Sequence, residues 1–434
     1  MNAVTTDATT PEPSERDYFT DHSILRDPYA FFEDIRARGP VHRQKRRDVV
    51  FVTGFKEAIE VLNNARDYSS SISLPGAGAA LPFQPKGDDI SDQLERHRTE
   101  IAGSDLLVTY DGAKHSAVRS LLTRLFVPSR LKANEKFMEA FADELARESA
   151  AKGYCDLVND IATPYVTLVI ADLLGVPADD REQFRKFLDA GPPAGNLETV
   201  DTKPHSNTVL EQLATYFVRY IQDRRDNPRP DILTELATAK YPDGSTPDMM
   251  EVVRAAVFLF AAGQDTSAKL LGNSLRFICE SSQLQDNLRA NPALISGFME
   301  EVLRMEGSSK ITSRLAIKKT RIGDQEIPAG TRVLIALAAA NRDPVRWEDP
   351  NVMKLDRPKI KEHVAFGRGA HTCIGSPLAR AEVRVMLEKL LEHTSEIRLS
   401  VKHHGEPGNR NLPYEPSFII RGLEQLHLEL SPRA

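Results

Sequence analysis

From His115 to Asn291 the apolar positions of this chain recur at helical spacing almost without interruption. Near both ends the apolar runs are short and broken by turn residues. Asp27-Pro28-Tyr29 opens an amphipathic helix that ends near Arg38-Gly39-Pro40, and two β-like runs follow, around His42–Arg43 and Val49–Thr53. The clearest helix begins at Ser245-Thr246-Pro247-Asp248, where a capping side chain precedes a proline suited to the first helical position. It continues to about Glu280; roughly thirty residues of helix would run about 50 Å, enough to cross a domain. Beyond Ile311 the pattern turns to short strands and turns, such as Ile327-Pro328-Ala329-Gly330-Thr331. Helix returns at Pro377–His393, and strands are expected near Phe418–Ile420 and Leu426–Leu430. The pattern predicts a mainly α fold with a smaller β portion.

Two stretches break this order. Leu74 to Asp105 is rich in Gly, Pro and Asp, with a weak helical signal in Ile90–Arg98. Gly191 to His205 includes Pro192, Pro193 and Pro204. Long irregular loops of this kind serve as lids and binding loops, or decorate the surface. Neither divides the chain, because candidate site residues lie on both sides of each. The expected organisation is a flexible head over residues 1–20 and a single domain over 21–434.

Composition narrows the class. The 434 residues are 41% hydrophobic and 27% charged, the balance of a globular protein with a large core. A net charge of −6 gives no electrostatic reason to expect nucleic acid as a partner. Met1 to Arg16 is polar and lacks a basic region followed by an apolar stretch, so no secretory signal is expected. The most apolar segments, Ala255–Ala262 and Val333–Ala340, are too short to span a bilayer. Only Cys155, Cys279 and Cys373 are present, a sparse, odd set that suits a reducing cytoplasm. The first two read as small buried apolar residues.

Cys373 differs because of its neighbours, Phe366-Gly367-Arg368-Gly369-Ala370-His371-Thr372-Cys373-Ile374-Gly375. No second cysteine lies close enough for a zinc or iron–sulfur centre. Gly367 and Gly369 permit a tight turn, and the helix starting near Ser376-Pro377 would aim N–H groups back at the sulfur. Such donors stabilise a thiolate, the metal-binding form. The segment resembles the haem-binding loop of the cytochrome P450 family, Phe-Gly-x-Gly-x-His-x-Cys-x-Gly, at every fixed position. The resemblance implies a P450-like fold and haem b (iron protoporphyrin IX), with Cys373 as the iron ligand.

Other positions gain meaning from that resemblance, which runs from Asp27-Pro28 through Asn341-Arg342-Asp343-Pro344 to Arg421-Gly422-Leu423 and is closest to soluble bacterial members. Ala262-Gly263-Gln264-Asp265-Thr266 looks like the family's oxygen-binding groove, implying that Asp265 and Thr266 deliver protons; alone, such a threonine commonly bonds the preceding turn. Glu301 and Arg304, three apart, match the family's Glu-x-x-Arg pair, which would be buried and structural rather than an exposed pair worth little. His115, Arg119, Arg314 and His371 stand where haem propionates would need cations. Phe366, Gly367, Gly375 and Ala262 complete the implied haem contacts.

Phe258, Ala262, Ser309, Ile311 and Phe418 are expected walls of a pocket for a small hydrophobic substrate. Where soluble bacterial members often carry Ser-Pro-Val after the arginine, this chain has Gly307-Ser308-Ser309-Lys310, so their substrates do not transfer. O2 and electrons complete the reaction, the electrons coming from a ferredoxin and an NAD(P)H-dependent ferredoxin reductase. Arg119, Arg124, Arg130, Lys132, Arg368 and Arg380 are candidates for a basic docking patch. A haem-thiolate peroxygenase or isomerase, and a haem sensor, are the alternatives; neither needs the Asp265–Thr266 pair. No partnership with a membrane is expected.

Overall fold

Helical spacing in the middle of the chain is realised as α1 (Gly112–Thr123), α2 (Pro128–Lys152), α3 (Thr163–Leu174), α4 (Thr208–Asp226) and α5 (Met249–Cys279). Two further main helices follow, α6 (Leu294–Glu306) and α7 (Ser376–His393). The computed structural model describes residues 16–25, 27–189 and 208–433. The irregular stretch expected at Gly191–His205, and the head as far as Glu15, lie outside those residues.

Helix α5 runs through the interior, about 46 Å long at the usual rise per residue. It packs against α3 and α4, and also meets α1, α6 and α7, while α2 lies along α7. The largest apolar core fills these junctions, with Leu121, Met138, Tyr165, Phe217, Phe260 and Met386 fully enclosed. Leu157–Leu174 is apolar and long enough to cross a membrane, but 67% of it is buried in this core.

The N-terminus of α5 differs from the sequence expectation by two residues. Asp248 is the cap, its carboxylate accepting the Met250 N–H, and Pro247 stands before it. Ser245 is instead engaged in a turn, accepting the Tyr241 N–H and bonding Asp243. Thr246, the residue before Pro247, accepts from the Lys240 ammonium with its hydroxyl oxygen, so that oxygen is occupied and does not cap the helix.

The β portion lies mainly in a five-stranded sheet. Its order is Val41–Gln44, Val49–Val52, Arg332–Ile335, Thr312–Ala316 and Tyr68–Ser69. Only the pairing of Val49–Val52 with Arg332–Ile335 is parallel. A second sheet joins Tyr154–Asp156, His427–Pro432 and Thr394–Leu399. The first of these strands was hidden inside the helical stretch of the sequence. Phe418–Ile420 forms no strand, only an isolated bridge between Ser309 and Ile420.

Beside the larger sheet, Tyr18, Phe19, Phe31, Phe32 and Phe51 make an aromatic cluster. The segment expected to be a flexible head, residues 1–20, includes buried positions: Asp17, Tyr18 and Phe19. Two aromatic rings gain too much from burial to remain in solvent.

Candidate functional site

The chain bends sharply twice before Cys373. Gly367 (φ 66°) and Gly369 (φ 70°) are both left-handed, a conformation side chains resist. A Cβ at Gly369 would also fall 2.4 Å from the Leu62 carbonyl oxygen. The Cys373 N–H donates to the Phe366 carbonyl at 2.9 Å and closes the loop. Helix α7 begins at once, and the N–H groups of Gly375 and Ser376 turn onto the sulfur. Burial pushes the Cys373 thiol up, while those two donors, Arg119 and Arg380 pull it down. Cys373 is closely surrounded by protein, yet the residue keeps an exposed face. Among the described residues no cluster of His, Cys, Asp and Glu could hold a metal ion. A metal at Cys373 would need its other ligands from a prosthetic group.

Basic side chains converge near this loop from three elements. His115 and Arg119 lie one turn apart on α1, Arg314 on the strand Thr312–Ala316, and His371 in the loop itself. The His115 and His371 rings are 4.0 Å apart. Arg119 donates to the Thr372 carbonyl at 2.6 Å, which places its head beside Cys373. Nε2 of His115 is buried with no hydrogen-bond partner. Burial, then Arg314, His115 and Arg119, push His371 down to about 2. Burial also lowers Arg314, to about 10. Asp111 is the carboxylate that acts on His115 and Arg314, but Ser69, Ser70 and Arg98 already occupy it. This basic cluster, short of anions and next to the Cys373 thiol, fits the propionates and iron of haem.

The middle of α5 supplies the second half of the site. Residues 261–266 are each half-buried in a helix whose other residues are mostly enclosed. Burial raises the Asp265 carboxyl although 29% of its side chain is open. Thr266 donates its hydroxyl to the Ala262 carbonyl at 3.0 Å, which leaves the oxygen's lone pairs to accept. The helix is continuous here. Ser308 was not anticipated as part of this region. Its hydroxyl donates to the Thr266 carbonyl at 2.6 Å and ties α5 to the strand-side segment. The only signal for it was the departure from Ser-Pro-Val.

Glu301 and Arg304 are both fully buried and bonded twice at 2.8 Å. Arg357 adds a second cation to Glu301, at 2.8 and 3.1 Å. Arg304 also donates to the Asn341 and Pro350 carbonyls, so the triad pins three segments together. Burial would raise the Glu301 carboxyl, but its two arginines hold it down. Breaking such a buried network costs about 3–5 kcal/mol. Sequence spacing pointed to the pair; Arg357, more than fifty residues on, had no local signal.

The expected pocket walls divide. Phe258, Ala262 and Ser309 keep part of their surface open. Ile311 and Phe418 are closed into the aromatic cluster. Phe418 packs on Phe19 at 5.4 Å and against Gly76, where a Cβ would collide with its ring at 2.7 Å. The candidate docking cations divide as well. Arg380 is bound to buried Glu300, Arg130 to Glu235, and Arg368 to the Glu362 carbonyl. Arg124, which donates to the Lys240 carbonyl at 3.2 Å, and Lys132 are exposed, with exposed Val127 between them in sequence.

Residues 82–407 match the family model described as Cytochrome P450. This chain belongs to the cytochrome P450 family. It is 31% identical over 412 residues to cytochrome P450 144 of Mycobacterium tuberculosis, covering 93% of this chain and 89% of that one. It is 32% identical over 410 residues to the P450 monooxygenase PikC of Streptomyces venezuelae, covering 92% and 90%. Substrate-free CYP150A6 of Mycobacterium marinum superposes with a TM-score of 0.91 at 45% identity, covering 97% of this chain and all of that one. The chain is therefore a haem-thiolate P450 monooxygenase with the mainly α fold of the family. Like other P450s it takes electrons from redox partners and binds hydrophobic substrates.

Proposed function

We propose that this P450 holds haem b through Cys373 and inserts one oxygen atom of O2 into a small hydrophobic molecule in the cytoplasm. Residues 21–434 act as one domain. Electrons come from a ferredoxin reduced by an NAD(P)H-dependent ferredoxin reductase. The observation that carries this reading is the Cys373 sulfur held by two backbone N–H groups at the start of α7 and set beside the basic cluster of Arg119 and His371. Haem, when bound, supplies the iron at which O2 is activated.

The protein's own groups do the rest. His115, Arg119, Arg314 and His371 would receive the propionates, and Phe366, Gly367, Gly375 and Ala262 would contact the ring. Asp265, enclosed but open-faced, exchanges protons, and the Thr266 oxygen accepts and orients the donor. Phe258, Ala262 and Ser309 border the substrate, with Ile311 and Phe418 behind them. Glu301 and Arg304, with Arg357, keep the haem-side core rigid. Exposed Arg124 and Lys132 around Val127 offer an acidic ferredoxin a basic rim and an apolar centre.

Turnover driven by NAD(P)H, ferredoxin and reductase, set against turnover with hydrogen peroxide alone, tests the reading. Product is expected only with the electron chain, and charge reversal at Lys132 should slow the first reduction. Equal turnover with peroxide alone would favour a peroxygenase instead.

A further inference from the structure

Lys269 lies one turn beyond Asp265 on α5 and is almost wholly buried. Its Nζ stands 3.8 Å from Asp265 Oδ1 and is ion-paired more closely with Glu415. It also donates to the Leu423 carbonyl at 3.4 Å. Glu415 and Leu423 belong to a C-terminal hairpin closed by a Tyr414–Leu423 bridge and by Glu415 N–H donating to the Gly422 carbonyl. The hairpin is shaped around the lysine stem. A Cβ at Gly422 would lie 2.2–2.7 Å from three Lys269 carbons, so only glycine lets the two approach. One ammonium thus serves two carboxylates unequally, with Glu415 near and Asp265 at the outer limit of an ion pair.

We infer that Lys269, clamped by Glu415 and Gly422, is a positioning residue that sets the charge and orientation of Asp265 for proton delivery. The inference rests on reading Asp265 as the proton donor of this site. A cation held at arm's length steadies the carboxylate without binding it so tightly that it cannot turn toward Thr266. The other Glu415 oxygen, Oε2, is buried with no hydrogen-bond partner, so Lys269 is the group that satisfies this carboxylate. The electrostatics agree. Burial raises Asp265 and Lys269 lowers it. Burial lifts Glu415 to about 6, Lys269 opposes this, and Asp265 adds to it. Glu424 stands behind Glu415, and Glu382 of α7, bonded to Ser267 and lifted by burial to about 8, faces α5 from the other side.

The geometry demands opposite responses from two substitutions. Lys269→Met strips Asp265 of its cation and should raise its titration midpoint by about one pH unit or more. Glu415→Gln releases the ammonium to Asp265 and should lower that midpoint. Lys269→Arg keeps the charge and should leave it near wild type. The readout is an infrared titration of the protonated-carboxyl stretch in the haem-loaded protein, with the Asp265 band assigned by its loss in Asp265→Asn. Opposite shifts support the clamp; no shift, or shifts of one sign, overturn it. If Lys269→Met fails to fold, a lowered midpoint in Glu415→Gln beside a wild-type midpoint in Lys269→Arg supports the clamp, and an unchanged or raised midpoint in Glu415→Gln overturns it. Coupling of NAD(P)H use to product in the same variants tests the underlying reading separately. Midpoints that move while coupling stays constant would keep the clamp and remove Asp265 from the proton path.

Discussion

The imidazoles of His115 and His371, more than 250 residues apart in sequence, lie with ring centroids 4.0 Å apart and planes tilted by 38°. Neither ring holds a proton charge readily. Burial and the neighbouring arginines push both down, His371 to about 2. The positive charge of the cluster therefore rests on Arg119 and Arg314, and a bound anion would relieve it.

That relation gives Arg314 opposite effects in the two forms of the protein. Arg314→Met removes a buried cation and should stabilise the haem-free protein by about 3 kcal/mol at neutral pH. The same change should speed haem loss to an apomyoglobin acceptor by about tenfold, the worth of a charge-assisted hydrogen bond. Unfolding of the apoprotein and the haem-transfer rate check the two halves. An unchanged transfer rate would mean that Arg314 does not face a propionate.

Lys310 is buried, donates to the Ser417 carbonyl at 2.6 Å, and burial lowers it from 10.5 to about 7. The unfolded chain binds this proton more tightly, so the lysine costs stability. The cost is absent above the ordinary lysine value, grows as pH falls, and is fully present below the folded value. Lys310→Met should therefore stabilise the protein at pH 7, and its advantage should shrink by roughly 2 kcal/mol between pH 7 and pH 9. Denaturant unfolding at the two pH values decides it. An advantage that does not change with pH would show that packing, not charge, dominates at this position.

Thr266 donates to the Ala262 carbonyl, the bond any helical threonine makes, so its contact alone does not separate a structural from a chemical role. Side-chain chemistry does. Thr266→Ser keeps the oxygen and should keep most of the coupling of NAD(P)H and O2 use to product. Thr266→Val keeps the shape, and should still consume both but release mainly hydrogen peroxide. Equal coupling in Val and Ser variants would leave Thr266 a packing residue.

Much of this was legible in the sequence because it is local. The loop from Phe366 to Gly375 needs glycines at fixed offsets, and Gly367 and Gly369 are indeed left-handed. The Glu301–Arg304 pair follows from helical spacing. What escaped was long-range. Arg357 reaches Glu301 from another segment, and the Lys269–Glu415 pair joins α5 to the C-terminal hairpin. Tyr154–Asp156 is too short for a strand pattern and is made one by its partner His427–Pro432. Phe418 was expected at the pocket wall, but aromatic packing on Phe19 draws it into the core. Pairings across the chain leave no mark on local periodicity.

The central claim is thiolate ligation of haem by Cys373, and the absorption spectrum of the reduced protein with carbon monoxide tests it most directly. The wild type should show the strongly red-shifted band of thiolate-ligated haem. Cys373→Ala should lose that band, and Cys373→His, if it keeps haem, should give the spectrum of histidine ligation. A full thiolate-type band in Cys373→Ala would contradict the account.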